Sequence, residues 1–466
     1  MKCRHAVRKD LPQRTFRYTD AARIPTRAMQ GDFTVRTFRS SVLFVLVVGL
    51  WLGAAQARNV AVPEAKPETV GFSSERLKRL DAGMKAIVDN KQLAGVSTIV
   101  TRHGQIVQQM VYGQADLASS APLQKDTIVR IYSMTKPITG VAMMILYEEG
   151  KWKPSDPISR YIPEFKDLKV FKSVDADGKP VADLPGHPPT MGELMSHTAG
   201  FTYGLFGSTP VDKMYQQANL LAASSLKDFI DKVAPLPLAY EPGQGWVYSV
   251  SVDIQGYLVE KLSGQPFADF LRERIFEPLG MNDTAFFVPA DKLSRLATIY
   301  QLTAQGLAPM PRDPNVSTPP GFPSGGGGLY STGGDYLRFA QMLANRGQLN
   351  GVRILAPSSV ALMTSNHVPD AVKAAGKFGI GAYRQQPGFG FGFDVAIYEE
   401  PTRMGTSVGE GTFLWDGIAG TWFWVDPKND IVFVGIIQRW AGPSPGPNIE
   451  DLSRALTMQA LVDPAK

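Results

Sequence analysis

Apolar and polar positions change their spacing several times along this chain. Ser73-Ser74-Glu75-Arg76 has the polar opening of a capped helix, and Leu77, Leu80, Met84 and Ile87 then fall on one helical stripe. Val96 to Thr101 and Ile106 to Val111 read as two strands joined by the turn Arg102-His103-Gly104-Gln105. A second helix is predicted after Met134, where Ile138, Val141, Ala142, Ile145 and Leu146 recur at helical spacing until Gly150. From about Pro154 to Pro320 short helical patterns alternate with Pro, Gly and Asp: Met191 to Ser196, Ser225 to Val233, Val252 to Leu262 and Phe267 to Phe276. No sustained strand alternation stands out there, so a mostly helical insertion is expected. Strand-like sequence returns at Gly411 to Leu414, Gly420 to Val425 and Ile431 to Gln438, with Pro427-Lys428-Asn429-Asp430 as a turn, and a last helix is expected from Ile449 to Leu461. The pattern predicts an α+β fold whose antiparallel sheet is assembled from residues 58–153 and 321–466, flanked by helices, around an insertion at 154–320. The helix beginning at Ser133 is expected to pack across that sheet.

The first 57 residues do not fit this pattern. They hold ten Lys or Arg against three Asp, followed by the apolar run 41–53 and then Ala55-Gln56-Ala57. A basic stretch, a short apolar core and a small-x-small site form a secretory signal, with cleavage expected after Ala57 and export to the periplasm or beyond the cell. An uncleaved membrane anchor is the alternative, although the apolar run is short for a membrane span, and none is expected in the mature chain. The basic part is long for a signal, and Met29 offers a second start.

Setting those residues aside changes the electrostatic picture. The chain's 48 basic and 43 acidic side chains become 38 and 40, so the positive balance belongs to the leader and gives no reason to expect nucleic acid binding. Cys3, the single cysteine, leaves with it, which removes disulfides, cysteine nucleophiles and cysteine-ligated metals from consideration. His103, His187, His197 and His367 are widely separated, with no H-E-x-x-H pattern, and no cofactor or metal is expected. Gly325-Gly326-Gly327-Gly328 lacks the spacing and the Lys of a phosphate loop and is read as flexible backbone near a cleft.

The chemistry that remains centres on Ser133-Met134-Thr135-Lys136. Residues three apart share a helix face, so Lys136 returns toward Ser133. A serine hydroxyl becomes a nucleophile when a neighbouring base takes its proton, and a buried lysine with a lowered pKa is such a base. The pair alone is weak evidence, since Ser224-Ser225-Leu226-Lys227 has the same spacing and reads as a surface helix capped by Ser224 with Lys227 solvated. A cap is also the alternative role for Ser133. Tyr248 follows the turn Pro242-Gly243; a phenol beside a lysine ammonium favours its phenolate, and Tyr248 can relay the Ser133 proton to a leaving alcohol. In Trp415-Asp416-Gly417-Ile418, an aromatic followed two residues later by Gly on an expected edge strand allows a carbonyl substrate to approach the backbone, where N–H groups can meet a developing oxyanion.

Taken in order, Ser133-Met134-Thr135-Lys136, Leu194-Met195-Ser196-His197-Thr198-Ala199-Gly200, Pro242-Gly243 leading to Tyr248-Ser249, and Trp415-Asp416-Gly417 resemble the serine beta-lactamase and penicillin-binding-protein superfamily, in particular the class C-like carboxylesterases called family VIII. The resemblance covers most of the mature chain. It implies the beta-lactamase/transpeptidase-like fold, an acyl enzyme on Ser133, proton transfer by Lys136 and Tyr248, and an oxyanion hole from the backbone N–H groups of Ser133 and Ile418. His197 matches a motif residue that is usually structural. Two departures bear on substrate. Val250 stands where the lactamases and peptidases have Asn and cannot hydrogen-bond a substrate amide. Trp415 stands in place of a Lys or His, offering an aromatic surface instead of a cation for a substrate carboxylate. Val250, Trp415 and Gly417 are therefore the candidate substrate contacts. The expected activity is hydrolysis of short or medium acyl esters. The alternatives are a beta-lactam-like substrate or a D-amino-acid or DD-peptidase activity, acyl transfer, and a nonenzymatic envelope-binding module whose face is supplied by the helical insertion and the region of Trp415, Trp422 and Trp424.

Overall fold

A computed structural model describes residues 62–376, 387–441 and 448–466; the expected signal segment lies outside them. The first helix, α1 (Ser74–Asp89), opens at Ser73, whose hydroxyl accepts from the Arg76 N–H at 3.3 Å, and buries Leu77, Leu80, Met84 and Ile87 as their spacing requires. Strands β1 (Gly95–Arg102) and β2 (Gln105–Asp116) form the expected hairpin, longer than its apolar runs, with β3 (Ala121–Pro122) beside it. His103 and Gly104 take positive φ at the turn, where glycine is cheap and histidine is not.

From the other end of the chain come β4 (Phe389–Phe391), β5 (Ala396–Tyr398), β6 (Thr412–Asp416), β7 (Trp422–Asp426) and β8 (Ile431–Ile436). All eight strands form one antiparallel sheet in the order β4-β5-β6-β7-β8-β1-β2-β3, and the two ends of the chain join where Ile99 sits opposite Val434. The central strands β1, β7 and β8 are buried at every position. Helices cover both faces, which is why β7 and β8 read as near-continuous apolar runs instead of alternating, while β1 carries buried Thr98 and Thr101 that are hydrogen-bonded. On one face Thr101 donates to Gln341 of α7 (Gly333–Ala344) at 2.8 Å. On the other, Gln108 bridges Thr98 and Asp81 of α1, and the Trp422 indole donates to Ser453 of α8 (Ile449–Met458) at 3.1 Å.

Trp422 and Trp424 are both buried and stack on Phe433, so they are core and present no binding face. A Cβ at Gly435, opposite Trp422, would collide with the Trp422 indole. Gly435→Ala is expected to cost about 3 kcal/mol through overpacking of this junction, read as a lowered midpoint of urea unfolding with an unchanged slope.

The sequence from 154 to 320 carries helices near the expected places, including α3 (Met191–Met195), α4 (Leu226–Val233), α5 (Ser251–Ser263) and α6 (Phe267–Leu271), which continues into a wider turn at Arg272–Phe276. It also holds two hairpins the pattern did not disclose, Val170–Val174 with Pro180–Asp183 and Tyr300–Thr303 with Gly306–Pro309. Their strands are short and partly exposed, so they lack a clear apolar alternation. At the second Ser-x-x-Lys, Ser225 rather than Ser224 caps α4, while Lys227 pairs with Glu164 and Asp231 at the surface.

Helix α2 (Thr135–Glu148) is buried on all sides from Thr135 to Leu146. It packs chiefly on α5 and reaches the sheet through the turn before it, close to β6, instead of lying across the strands. The nucleophile candidate is thereby held where the helical layer meets the sheet.

Candidate active site

Ser133 lies in a single tight helical turn, Tyr132–Met134, that leads into α2. Tyr132 enters that turn at φ +44°, and Tyr336 donates to the Met134 carbonyl at 2.9 Å, fixing the turn against α7. Lys136, one turn later and 1 % exposed, places Nζ 3.2 Å from Ser133 Oγ and 2.6 Å from the carbonyl oxygen of Gly326. From the segment before α5, Tyr248 donates its phenolic hydrogen to Ser133 Oγ at 2.7 Å. The structure thus brings Ser133, Lys136 and Tyr248 together around one oxygen, across 115 residues of sequence.

Burial lowers the Lys136 pKa to about 8, with Asp253, Asp394 and Asp416 partly offsetting it. Tyr248 does not follow the sequence expectation. The Lys136 ammonium sits over the Tyr248 ring, 4.6 Å from its centroid, and burial pushes the phenol well above its ordinary range despite its hydrogen bond to Ser133. Desolvation outweighs the nearby cation, so Tyr248 is a protonated donor at neutral pH. His197 is fully buried with its pKa well below the usual value; its Nδ1 lies 3.0 Å from Ser249 Oγ and its ring packs on Tyr248. It is a neutral strut for the tyrosine segment.

The loop after β6 closes the site. Gly417 donates to Thr421 O at 2.7 Å, and Thr421 Oγ1 donates to Ile131 O at 3.2 Å, tying this loop to the backbone just before the nucleophile. Neither the Ser133 nor the Ile418 N–H donates to a backbone carbonyl among the described residues, and both residues line the same clefts. Two sequence readings change here. Strand β6 is interior to the sheet, and Gly417 is needed because a Cβ would collide with Ile131 O and come within 2.6 Å of Thr421 Oγ1; protein backbone, not only substrate, makes the close approach. Val250 is 1 % exposed at the start of α5 and lines neither cleft. Trp415 is buried against Tyr248 and borders the second cleft.

Two clefts meet at Ser133, Phe206, Tyr248 and Ile418. One, of about 800 Å³, is walled by aromatic and aliphatic groups including Tyr203, Leu205, Phe286, Phe322 and Trp440. The other, of about 1180 Å³, is also lined mainly by apolar surface but carries charged groups at Asp416, Arg439 and Arg454 beside Thr406. Gly326, Tyr203 and Asp253 were missed in the sequence as parts of the site. The four-glycine run was the available signal for Gly326, but it is hydrogen-bonded structure here: Gly325 O accepts from Thr139 and Gly326 O from Lys136.

A deep sheet-and-helix cleft with a lysine and a tyrosine converging on one serine defines a serine hydrolase. The beta-lactamase family model matches residues 80–456, and the chain belongs to the beta-lactamase family. It is 36 % identical over 362 residues to an uncharacterized protein of Mycobacterium tuberculosis, covering 77 % of this chain and 88 % of that one. It is 31 % identical over 370 residues to esterase EstB of Burkholderia gladioli, covering 74 % and 86 %. Among solved structures, EstCE1, described as a hydrolase with promiscuous acyltransferase activity, superposes with a TM-score of 0.69 at 26 % identity, covering 82 % of this chain and 98 % of its own. The α+β beta-lactamase/transpeptidase fold and the likeness to esterases within that superfamily both stand.

Proposed function

We propose that this enzyme hydrolyses carboxylic esters of short or medium acyl chains through an acyl-Ser133 intermediate. The observation that carries the reading is the convergence of Lys136 Nζ and Tyr248 Oη on Ser133 Oγ at the head of a mainly apolar cleft. Neutral Lys136 takes the Ser133 proton as Oγ bonds to the ester carbon. The negative charge that develops on the carbonyl oxygen is met by the Ser133 and Ile418 N–H groups. As the C–O bond breaks, the Tyr248 phenol protonates the departing alkoxide, and the proton held by Lys136 restores it. Water then repeats the sequence on the acyl enzyme. The first cleft suits the acyl part and the second, with its charged rim, the alcohol. Trp415 supports esters over carboxylate-bearing beta-lactams, since no cation stands at its position.

The sign of the pH dependence follows from Lys136. Its neutral form is the base, and that form grows as pH rises through about 8. kcat/KM is expected to climb about tenfold per pH unit below that value and to level above it, measured as a pH–rate profile on a neutral ester. Running p-nitrophenyl butyrate and nitrocefin in parallel tests the substrate class: ester turnover should dominate, and a preference for nitrocefin would move the enzyme to lactam chemistry.

A second reading, acyl transfer to an alcohol or amine, is favoured by the second cleft opening on the same serine, and it accords with the description of EstCE1. Partition of the butyryl group between water and an added alcohol measures it. Export through the leader at 1–57 completes the proposal, and a mature N-terminus at Arg58 would support it.

A further inference from the structure

Asp253 takes no part in the steps above, yet it is fully buried near the start of α5, and its couplings run toward the site. Its Oδ1 accepts from Ser324 Oγ at 2.5 Å and from the Gly326 N–H at 3.0 Å, and its Oδ2 accepts from Tyr203 Oη at 3.4 Å. Gly326 is the residue whose carbonyl holds Lys136 Nζ. One residue is therefore gripped from both sides, its N–H by Asp253 and its C=O by the lysine. The approach is close enough that a Cβ on Gly326 would lie 2.5 Å from Tyr203 Oη and 2.6 Å from Asp253 Oδ2. A buried carboxylate costs free energy unless it is well hydrogen-bonded, and three donors from two segments satisfy this one.

We infer that Asp253 is a positioning residue for acyl transfer: by clamping Ser324 and Gly326 it sets the carbonyl that aims the Lys136 amine at Ser133. The inference rests on the ester-hydrolase reading above. Its charge acts on the same amine. Asp394 and Asp416 face Lys136 as well, and His197 is coupled to it, but none of these three hydrogen-bonds into the glycine segment among the described residues. The Tyr203 and Tyr248 rings complete the enclosure, at 5.3 and 4.6 Å from Nζ.

Two substitutions separate clamp from charge. Asp253→Ala removes both and is expected to lower kcat for p-nitrophenyl butyrate about 100-fold with little change in KM, because a misplaced base costs rate and not ground-state binding. Asp253→Asn keeps an acceptor for Gly326 and Ser324 but loses the charge. It should recover most of that kcat, while the rising limb of kcat/KM moves about one unit to lower pH. A folded Asp253→Ala enzyme with wild-type kcat and an unmoved limb overturns the inference. If Asp253→Ala does not fold, Asp253→Asn and Ser324→Ala decide it: an unmoved limb in the first and unchanged kcat in the second are equally fatal. The rate at which a fluorophosphonate labels Ser133 reports the same activation without an ester. Slower labelling of Asp253→Ala upholds the clamp even where wild-type ester turnover fails, so the two readings fall separately.

Discussion

Ser133→Ala should reduce kcat/KM for p-nitrophenyl butyrate by on the order of 10⁴-fold or more, the scale at which loss of a nucleophile leaves only binding and oxyanion contacts. The substitution removes one oxygen and two hydrogen bonds, those from Lys136 and Tyr248. Ser133 is only partly buried, Lys136 retains the Gly326 carbonyl, and the Tyr248 hydroxyl, which loses its bond to Ser133, borders both clefts, where water can take the place of the serine oxygen. Stability should therefore change by no more than about 1 kcal/mol. A large loss of rate in a protein with an unchanged unfolding midpoint separates chemistry from damage. The steady-state rates of the purified variant, with the unfolding curve alongside, provide the check.

The second large effect belongs to Lys136. Lys136→Met keeps a long unbranched side chain in the buried space and deletes the base, so kcat/KM should fall about 10³- to 10⁴-fold. That loss alone does not distinguish a base from a counter-charge for Asp253, Asp394 and Asp416. Lys136→Arg does. A guanidinium keeps the positive charge but does not lose a proton in the working range. It should be as inactive as Lys136→Met at pH 8, and the rising limb of the rate profile should disappear in both. If Lys136→Arg retained more than about a tenth of wild-type activity, the amine would be acting through its charge, and the base would have to be sought elsewhere.

Much of this site was legible from residue spacing because its parts are local. Ser133 and Lys136 share one helical turn, Ser73 and the stripe from Leu77 to Ile87 define α1, and the Tyr248 segment follows a Pro-Gly turn. What spacing hid was set by contacts far apart in sequence. The partner of Lys136 lies 190 residues away at Gly326, and Asp253 is linked to that glycine across 73 residues. A run of four glycines reads as slack until the groups crowding each missing side chain are known. Tyr248 shows the same limit in its chemistry: a nearby lysine is visible in the motif, whereas the extent of desolvation depends on His197, Tyr203, Phe206 and Trp415, which arrive from two distant segments. Val250 and β6 were misplaced for a related reason. Motif order locates a residue along the chain, but whether it faces a cleft or an interior is decided by the layers packed around it.

The two-cleft arrangement also bears on what the enzyme does with its acyl group. Water and a larger acceptor would compete at one serine, and the second cleft is where that competition would be decided. Ester hydrolysis and acyl transfer share every step up to acylation, so both depend on the same oxygen.

The central claim is that Ser133 Oγ is that oxygen. Its most direct test is to inactivate the purified enzyme with a p-nitrophenyl phosphonate ester, which leaves a stable adduct on an activated hydroxyl, and to map the modified peptide by mass spectrometry. One phosphonyl group on Ser133, formed in step with loss of ester turnover and slowed in Lys136→Met, is the predicted result. Stoichiometric inactivation with the group on any other residue would contradict the account.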